Sequence, residues 1–305
     1  MNKSVSIVVR CLNEKSNLEV LIPKLLNQSY KDFELIFVDS GSTDGSLKVI
    51  EDYITSNKNF NLYHIKKNEF TFGKSLNIGF NNSNGEIIVS LSAHCFPKHN
   101  IWLESIIKPF KNPDVGISYG LQSHHSLTRH SESSVQKTWF NGKSRITTDA
   151  FLNNGNAAYK KTVWENFLFD EELTGLEDID IGIKAKNNGW KIYYSAEADV
   201  EHLHEENYKT IQNRYRRESE AMKNINSLNS SNKIIIKNTF FLCLKGFLRG
   251  VKYDFKTAGK SKQPNKDFFS IFMYRMNQYV GTYKGYKNNM SKNKITDLYF
   301  YSPKS

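Results

Sequence analysis

"VSIVVRCLNEKSNLEVLIPKLLNQSYKDFELIFVDSGSTDGS", residues 5–46, decides how the chain folds. Val5–Val9 is a short apolar run of strand formers. Leu18, Leu21, Ile22, Leu25 and Leu26 follow at helical spacing, and Phe33–Val38 is a second continuous apolar run. A strand, a helix and a strand in that order make a β-α-β unit, whose crossover lays the two strands parallel. Asp39 then stands at the carboxyl end of the second strand, at the head of the turn-rich segment Asp39–Ser46, which ends in a helix cap before Leu47–Tyr53. A polar turn with an N-cap is the bland account of that segment. Further on, "GEIIVSLSAHCFP" (85–97) repeats the pattern of a buried strand, Ile87–Leu91, that emerges into the polar Ser92-Ala93-His94. In an open α/β sheet the carboxyl ends of the strands are where ligands bind.

The rest of the chain sets bounds on this reading. A chain of 305 residues buries a full core and holds one large domain or two. Its three cysteines, Cys11, Cys95 and Cys243, lie far apart with no CxxC pair, which suggests neither a disulfide framework nor a zinc knuckle and fits a reducing, cytosolic compartment. The opening apolar run is too short for a signal peptide, and no uncharged apolar stretch of about 18 residues occurs, so no spanning helix is expected. Charge divides the chain: residues 208–305 carry 20 Lys and Arg against 5 Asp and Glu, whereas the first 207 carry 22 against 26. Two regions with different partners are implied.

The segments "VSIVVRCLNE", "LLNQSYKDFELIFVDSGSTDGS", "FGKSLNIGFNNSNGEIIVSLSAHCFP" and "GLEDIDIGIKAKNNGWKIYY" occur in the order and spacing of glycosyltransferase family 2, which the chain resembles over about residues 4–204. Within that family "EFTFGKSLNIGF", "GLQ" and "VEHLHEENYKTIQNRYRRE" are similar to the bacterial, rhamnosyltransferase-like branch that builds surface polysaccharides. The resemblance implies an α/β GT-A fold: a Rossmann-like, mostly parallel central sheet flanked by helices, here with a basic α-helical C-terminal extension. It divides the chain into a catalytic domain at 1–207, with a nucleotide-binding half at 1–95 and an acceptor-binding half at 96–207, and a helical region at 208–305.

The implied activity is inverting transfer of a hexosyl or deoxyhexosyl group from a nucleotide sugar to a hydroxyl of a glycan or lipid-linked glycan, in capsule or lipopolysaccharide synthesis. The resemblance places Arg10, Asn13, Glu14 and Asp39 around the nucleotide, and Gly73, Lys74 and Asn77 under its diphosphate. The resemblance also implies that Asn154, in the polar loop 153–158, lies beside the donor sugar or acceptor. Glu177 and Asp178 match the family's acidic pair: Asp178 is expected as the base, kept ionised by a helix N-terminus, and Glu177 as the residue that positions the acceptor. Acids in a first helical turn are also expected for dipole reasons alone. Arg216 and Arg217, on a helix after residue 208, are candidates to hold the leaving diphosphate, with a solvated helix face as the alternative.

One departure stands out: Ser92-Ala93-His94 falls on the family's Asp-x-Asp position, and both acids are missing. Two outcomes are open. Either His94 binds a divalent ion, Mn or Mg, with help from His202 and His204 of the extended "EHLH", or protein cations neutralise the diphosphate and His94 hydrogen-bonds it. Between Gly120 and Ala150 the chain is polar and reads as one long lid-like loop.

In the tail, Phe240, Leu244, Phe247, Val251 and Phe255 follow helix spacing, with Lys245, Arg249, Lys252 and Lys256 on another face. Phe268, Phe272, Met276, Tyr279 and Tyr283 make a second stripe. These stripes fit either packing within the protein or an anionic membrane surface, which would set the protein in the cytoplasm, peripheral to the inner face of a bacterial membrane. A nucleic-acid partner is not expected, because the positive charge is confined to the tail and no nucleic-acid motif is present. An inactive sugar-nucleotide-binding partner protein is the remaining alternative.

Overall fold

The computed structural model of the chain describes residues 4–125, 128–203, 206–226, 232–259 and 264–287. The opening stretch forms the expected unit: β1 (Val5–Cys11) runs parallel to β2 (Phe33–Asp39), joined by α1 (Lys15–Leu26). Leu18, Leu21, Ile22 and Leu25 are wholly buried, the stripe their spacing predicts. The chain continues through α2 (Ser46–Ser56), β3 (Phe60–His64), α3 (Phe72–Asn81) and β4 (Ile87–Ser92), and the four strands lie in the order β3-β2-β1-β4, all parallel. Successive side chains of a strand point to opposite faces. Ile7 and Val9 accordingly join the α1 leucines in one core, while Val8 joins Leu76 and Phe80 of α3 in another.

After β4 come β5 (Cys95–Pro97), α4 (Trp102–Ile107), β6 (Val115–His124), α5 (His130–Trp139) and β7 (Arg145–Ile146). They are followed by β8 (Asn156–Lys160), α6 (Lys161–Phe167), α7 (Glu177–Asn187) and β9 (Lys191–His202). The sheet extends as β4-β8-β6-β9-β5, with β7 on β9. Its parallel character belongs to the first four strands: β8 is antiparallel to both β4 and β6, β6 is parallel to β9, and β5 and β7 are antiparallel to β9. The expected α/β sheet is thus present, and its second half is mixed. Residues 120–150 are not one long loop, since β6 runs on to His124 and α5 and β7 follow. In α7 Ile181 and Ala185 are buried and Ile179 and Ile183 only partly so, which sets the rotation of the helix about its axis. That rotation turns Glu177 and Asp178 inward with them.

Cα packing divides the chain into two compact units: Met1–His125, Trp139–Glu172 and Glu177–Leu203 form the first; Ser126–Thr138, Leu173–Leu176 and His204–Ser305 form the second. The second unit contains most of α5 together with α8 (Tyr208–Asn226), α9 (Asn232–Thr257) and α10 (Pro264–Lys287). At Gly281 of α10 an added Cβ would stand 2.3 Å from the Gln212 carbonyl oxygen, so glycine is what lets α10 and α8 approach this closely. The interior here is polar as well as apolar. Arg275 grips Asp254 with two hydrogen bonds of 2.7 and 2.8 Å, and Glu132 accepts from Arg214 at 2.7 Å and from the Tyr274 hydroxyl. No helix among the described residues is long and apolar enough to cross a membrane.

Candidate active site

At the carboxyl ends of β1 and β4, and the start of β8, the first unit gathers two polar clusters. In the first, α7 begins with Glu177 and Asp178, both buried. Asp178 accepts the Ile179 N–H (2.8 Å) on Oδ1 and the Asn154 N–H (3.0 Å) on Oδ2. Glu177 accepts from the Asn154 side-chain amide at 3.1 Å, and the Tyr159 hydroxyl donates to Asn154 Oδ1 at 2.6 Å, which fixes the orientation of that amide. The Arg10 guanidinium completes the group, 4.0 Å from Glu177 Oε1 and 3.4 Å from the Phe72 carbonyl oxygen.

Burial, reinforced by the neighbouring Glu177 charge, pushes the Asp178 carboxyl up to about 7, against the opposing pull of its two backbone hydrogen bonds and Arg10. The helix N-terminus therefore does not hold Asp178 in the ordinary ionised range, as expected from sequence. Desolvation outweighs it, because water is removed from both carboxylates while neither gains a cation within hydrogen-bonding distance. Leu176, just before the pair, has a left-handed φ of 59°, a conformation uncommon for a branched side chain.

The second cluster surrounds Ser92-Ala93-His94. His94 Nδ1 lies 3.0 Å from Glu14 Oε1 and its Nε2 lies 3.0 Å from Ser92 Oγ, whereas Ala93 is buried in the core. His202 of β9 stacks on His94, ring centroids 5.2 Å apart and planes 16° from parallel. A chain of hydrogen bonds fixes the tautomer of His202. The Gly155 N–H donates to Asn153 Oδ1 (2.8 Å), which also accepts from Gln122 Nε2 (2.8 Å). Gln122 Oε1 is thereby left as the acceptor for His202 Nδ1 at 2.7 Å, so the neutral ring carries its lone pair on Nε2.

These residues do not fit a divalent cation as arranged. Among the described residues no three His, Cys, Asp or Glu side chains gather as a cation site requires. The in-plane lone pairs of two nearly parallel stacked imidazoles do not converge on one point. His94 and His202 do meet, but by stacking, and His204 lies outside the described residues.

The two clusters share one short segment. Asn153 orients Gln122 and hence His202, and the adjacent Asn154 binds both acids. The remaining expected residues divide by what they touch. Asn13, at a left-handed φ of 54°, donates its N–H to Ser42 and accepts the Thr43 N–H, lacing the β1 exit to the loop after β2. Asp39 is 1% exposed and accepts the Gly41 and Ser42 N–H groups at 2.8 and 3.1 Å, so it shapes its own loop.

Asn77 fills all four of its hydrogen-bonding positions: it donates to the Phe169 carbonyl and Glu171, and accepts from Trp164 Nε1 and the Phe169 N–H. At Gly73 a Cβ would meet the Asp170 carbonyl oxygen at 2.4 Å. Packing thus accounts for Gly73 and Asn77. Lys74 pairs with Glu69 at 3.2 Å. Arg216 and Arg217 belong to the second unit, where the Arg217 side chain runs beside Gly175 and its carbonyl oxygen accepts from Thr174. Sequence reasoning missed Gln122 and Tyr159. Gln122 was readable only as part of "GLQ", and Tyr159 gave no signal, because its partner Asn154 meets it through strand geometry.

The chain belongs to the Glycosyl transferase family 2, whose profile matches residues 6–164. It is similar to the O-antigen chain rhamnosyltransferase RfbN of Salmonella typhimurium, 23% identical over 212 residues that cover 66% of each chain. It is also similar to the O-antigen chain rhamnosyltransferase WbaN of Salmonella anatum, 28% identical over 189 residues, 58% of each. The match therefore spans just under two thirds of the length of the first relative and less of the second. Among solved structures, the mannosyltransferase PcManGT from Pyrobaculum calidifontis, in complex with GDP-Man and Mn2+, superposes with a TM-score of 0.64 at 16% identity. The superposition covers 93% of this chain and 87% of that one, a likeness of fold.

Proposed function

We propose that the protein is an inverting glycosyltransferase that moves a sugar from a nucleotide-sugar donor to a hydroxyl of a glycan or lipid-linked glycan, in bacterial surface polysaccharide synthesis at the cytoplasmic face of the membrane. Family membership and the likeness to two O-antigen chain rhamnosyltransferases support the reaction class and the pathway. The observation that carries the reading is Asp178: a buried carboxyl with a pKa of about 7, held by two backbone N–H groups at the rim of the sheet. A base works best when its pKa lies near the working pH.

In the proposed step Asp178 takes the proton of the acceptor hydroxyl. The acceptor oxygen bonds to the anomeric carbon, and the bond from that carbon to the phosphate oxygen breaks, its electron pair leaving with the nucleoside diphosphate. Glu177 and Asn154 position the acceptor, and Arg10 and His94 face the donor. A divalent ion bound to the diphosphate would supply charge neutralisation. Arg216 and Arg217 remain candidates for the diphosphate, and 1–207 the proposed catalytic domain.

Release of nucleotide across a panel of nucleotide sugars, with and without manganese, tests this. Turnover with one donor is expected, and Asp178→Asn lowers kcat by about 10²–10⁴. An unchanged rate in that variant removes the base assignment. The missing acids at Ser92 and His94 favour a second reading, an inactive sugar-nucleotide-binding partner protein, which predicts donor binding without turnover in the wild type.

A further inference from the structure

The C-terminal helices pack through their stripes, yet leave much apolar surface uncovered. Phe247 meets Phe272 edge-on at 5.4 Å, Phe255 meets Phe268 at 5.1 Å and Phe240 meets Tyr283 at 5.8 Å, so α9 and α10 are joined by aromatic contacts. Even so, Phe241 is 70% exposed, Leu248 and Phe269 are 59% exposed, and Phe240, Leu244, Phe255 and Phe268 are also exposed. With about 100° of rotation per residue, Phe240, Leu244, Phe255, Leu248 and Phe241 share one arc of about 100° on α9. Lys252, Lys245, Lys256 and Arg249 fill the adjoining arc of about 60°.

All four cations are exposed, and among the described residues no ion pair engages them. The one acid of α9, Asp254, is buried against Arg275. Isolated apolar side chains on a surface need no explanation, but a contiguous aromatic and leucine face marks a binding surface.

We propose that this face of α9, extended by Phe268 and Phe269 of α10, binds the surface of an anionic lipid bilayer. The apolar arc enters the boundary between headgroups and acyl chains, while the four cations meet lipid phosphates beside it. Charge selects this occupant. A second copy of the chain would set four cations against four, and a nucleic acid would leave the phenylalanines in water. The helix lies on the membrane rather than through it, consistent with the absence of a spanning helix among the described residues. This deepens the membrane placement above and is tested without sugar transfer.

The test is flotation of the full chain with vesicles of phosphatidylglycerol mixed with phosphatidylcholine, against phosphatidylcholine alone. Binding to the anionic vesicles is expected to be at least about tenfold stronger, and to weaken with salt. Replacing Lys245, Arg249, Lys252 and Lys256 together by Gln lowers the partition coefficient about a hundredfold or more. Phe241→Ser with Leu248→Ser lowers it about tenfold with an unchanged melting temperature, since both side chains are already in water in the free protein. Asp178→Asn floats like the wild type, so failure here and failure of the catalytic reading are separate results. Equal binding to neutral and anionic vesicles, no binding to either, or retention on a DNA duplex while vesicles are ignored overturns the proposal.

Discussion

Asp178 and Asp254 are both aspartates removed from water, and the protein sets them in opposite directions. In the first unit burial and the neighbouring Glu177 raise Asp178 to about 7. In the second unit burial pushes Asp254 up as well, but the paired hydrogen bonds and the charge of Arg275 more than offset it and hold the group below the ordinary carboxylate range. Burial alone therefore does not say what a carboxylate is for. What decides is whether a guanidinium grips it: Asp254 is neutralised and becomes structure, whereas Asp178 retains an affinity for protons suited to chemistry.

The comparison is broken most directly by removing each acid. Asp178→Asn should cost catalysis about 10²–10⁴ while leaving a folded protein. Asp254→Ala should leave Arg275 buried without its partner, and destabilise by about 3–5 kcal/mol in urea unfolding. The double change Asp254→Leu with Arg275→Met should recover much of that loss, and a double variant as unstable as the single one would show that the pair is not the unit that matters.

A smaller effect is expected from His94→Ala, about tenfold in kcat/KM for the donor, if its imidazole hydrogen-bonds the diphosphate. Unchanged kinetics with and without manganese would place the histidine away from the phosphates.

The pH dependence sharpens the contrast further. Asp178 has a raised folded pKa, so its contribution to stability is complete below about pH 4, where both states are protonated, and is lost as pH rises through about 7. Asp254 runs the other way: its contribution is present above about pH 4 and lost as pH falls through its depressed value. Asp178→Asn should therefore flatten the decline in stability between about pH 4 and 7, followed by thermal melting across that range. The rate, by contrast, should rise through about pH 7 if Asp178 is the proposed base, and Glu177→Gln should move that midpoint down by about one unit, since the Glu177 charge is part of what raises it. A midpoint that stays put in the Gln variant would leave burial alone as the cause.

How much of this was legible beforehand follows from the range of the forces involved. The β1-α1-β2 unit was readable because apolar spacing is a local property, and the same leucines that showed helical period are the ones buried. The position of Glu177 and Asp178 at a helix start was readable for the same reason. The line of α7 that faces inward was not, because Ile179 and Ile181 offer equally plausible stripes and only packing chooses between them. Nor could sequence show that Asn77 is saturated by Trp164 and residues 169–171, some ninety positions away, or that His94 and His202 meet by stacking.

By itself, then, the sequence determined the opening β-α-β unit, the acidic pair at a helix start and the basic tail, since each is written in the spacing or charge of neighbouring residues. Only the tertiary structure decided which carboxylate has its proton affinity raised, how the two imidazoles are oriented and which phenylalanines stay in water. Desolvation and hydrogen bonding depend on groups that the fold brings together from distant parts of the chain.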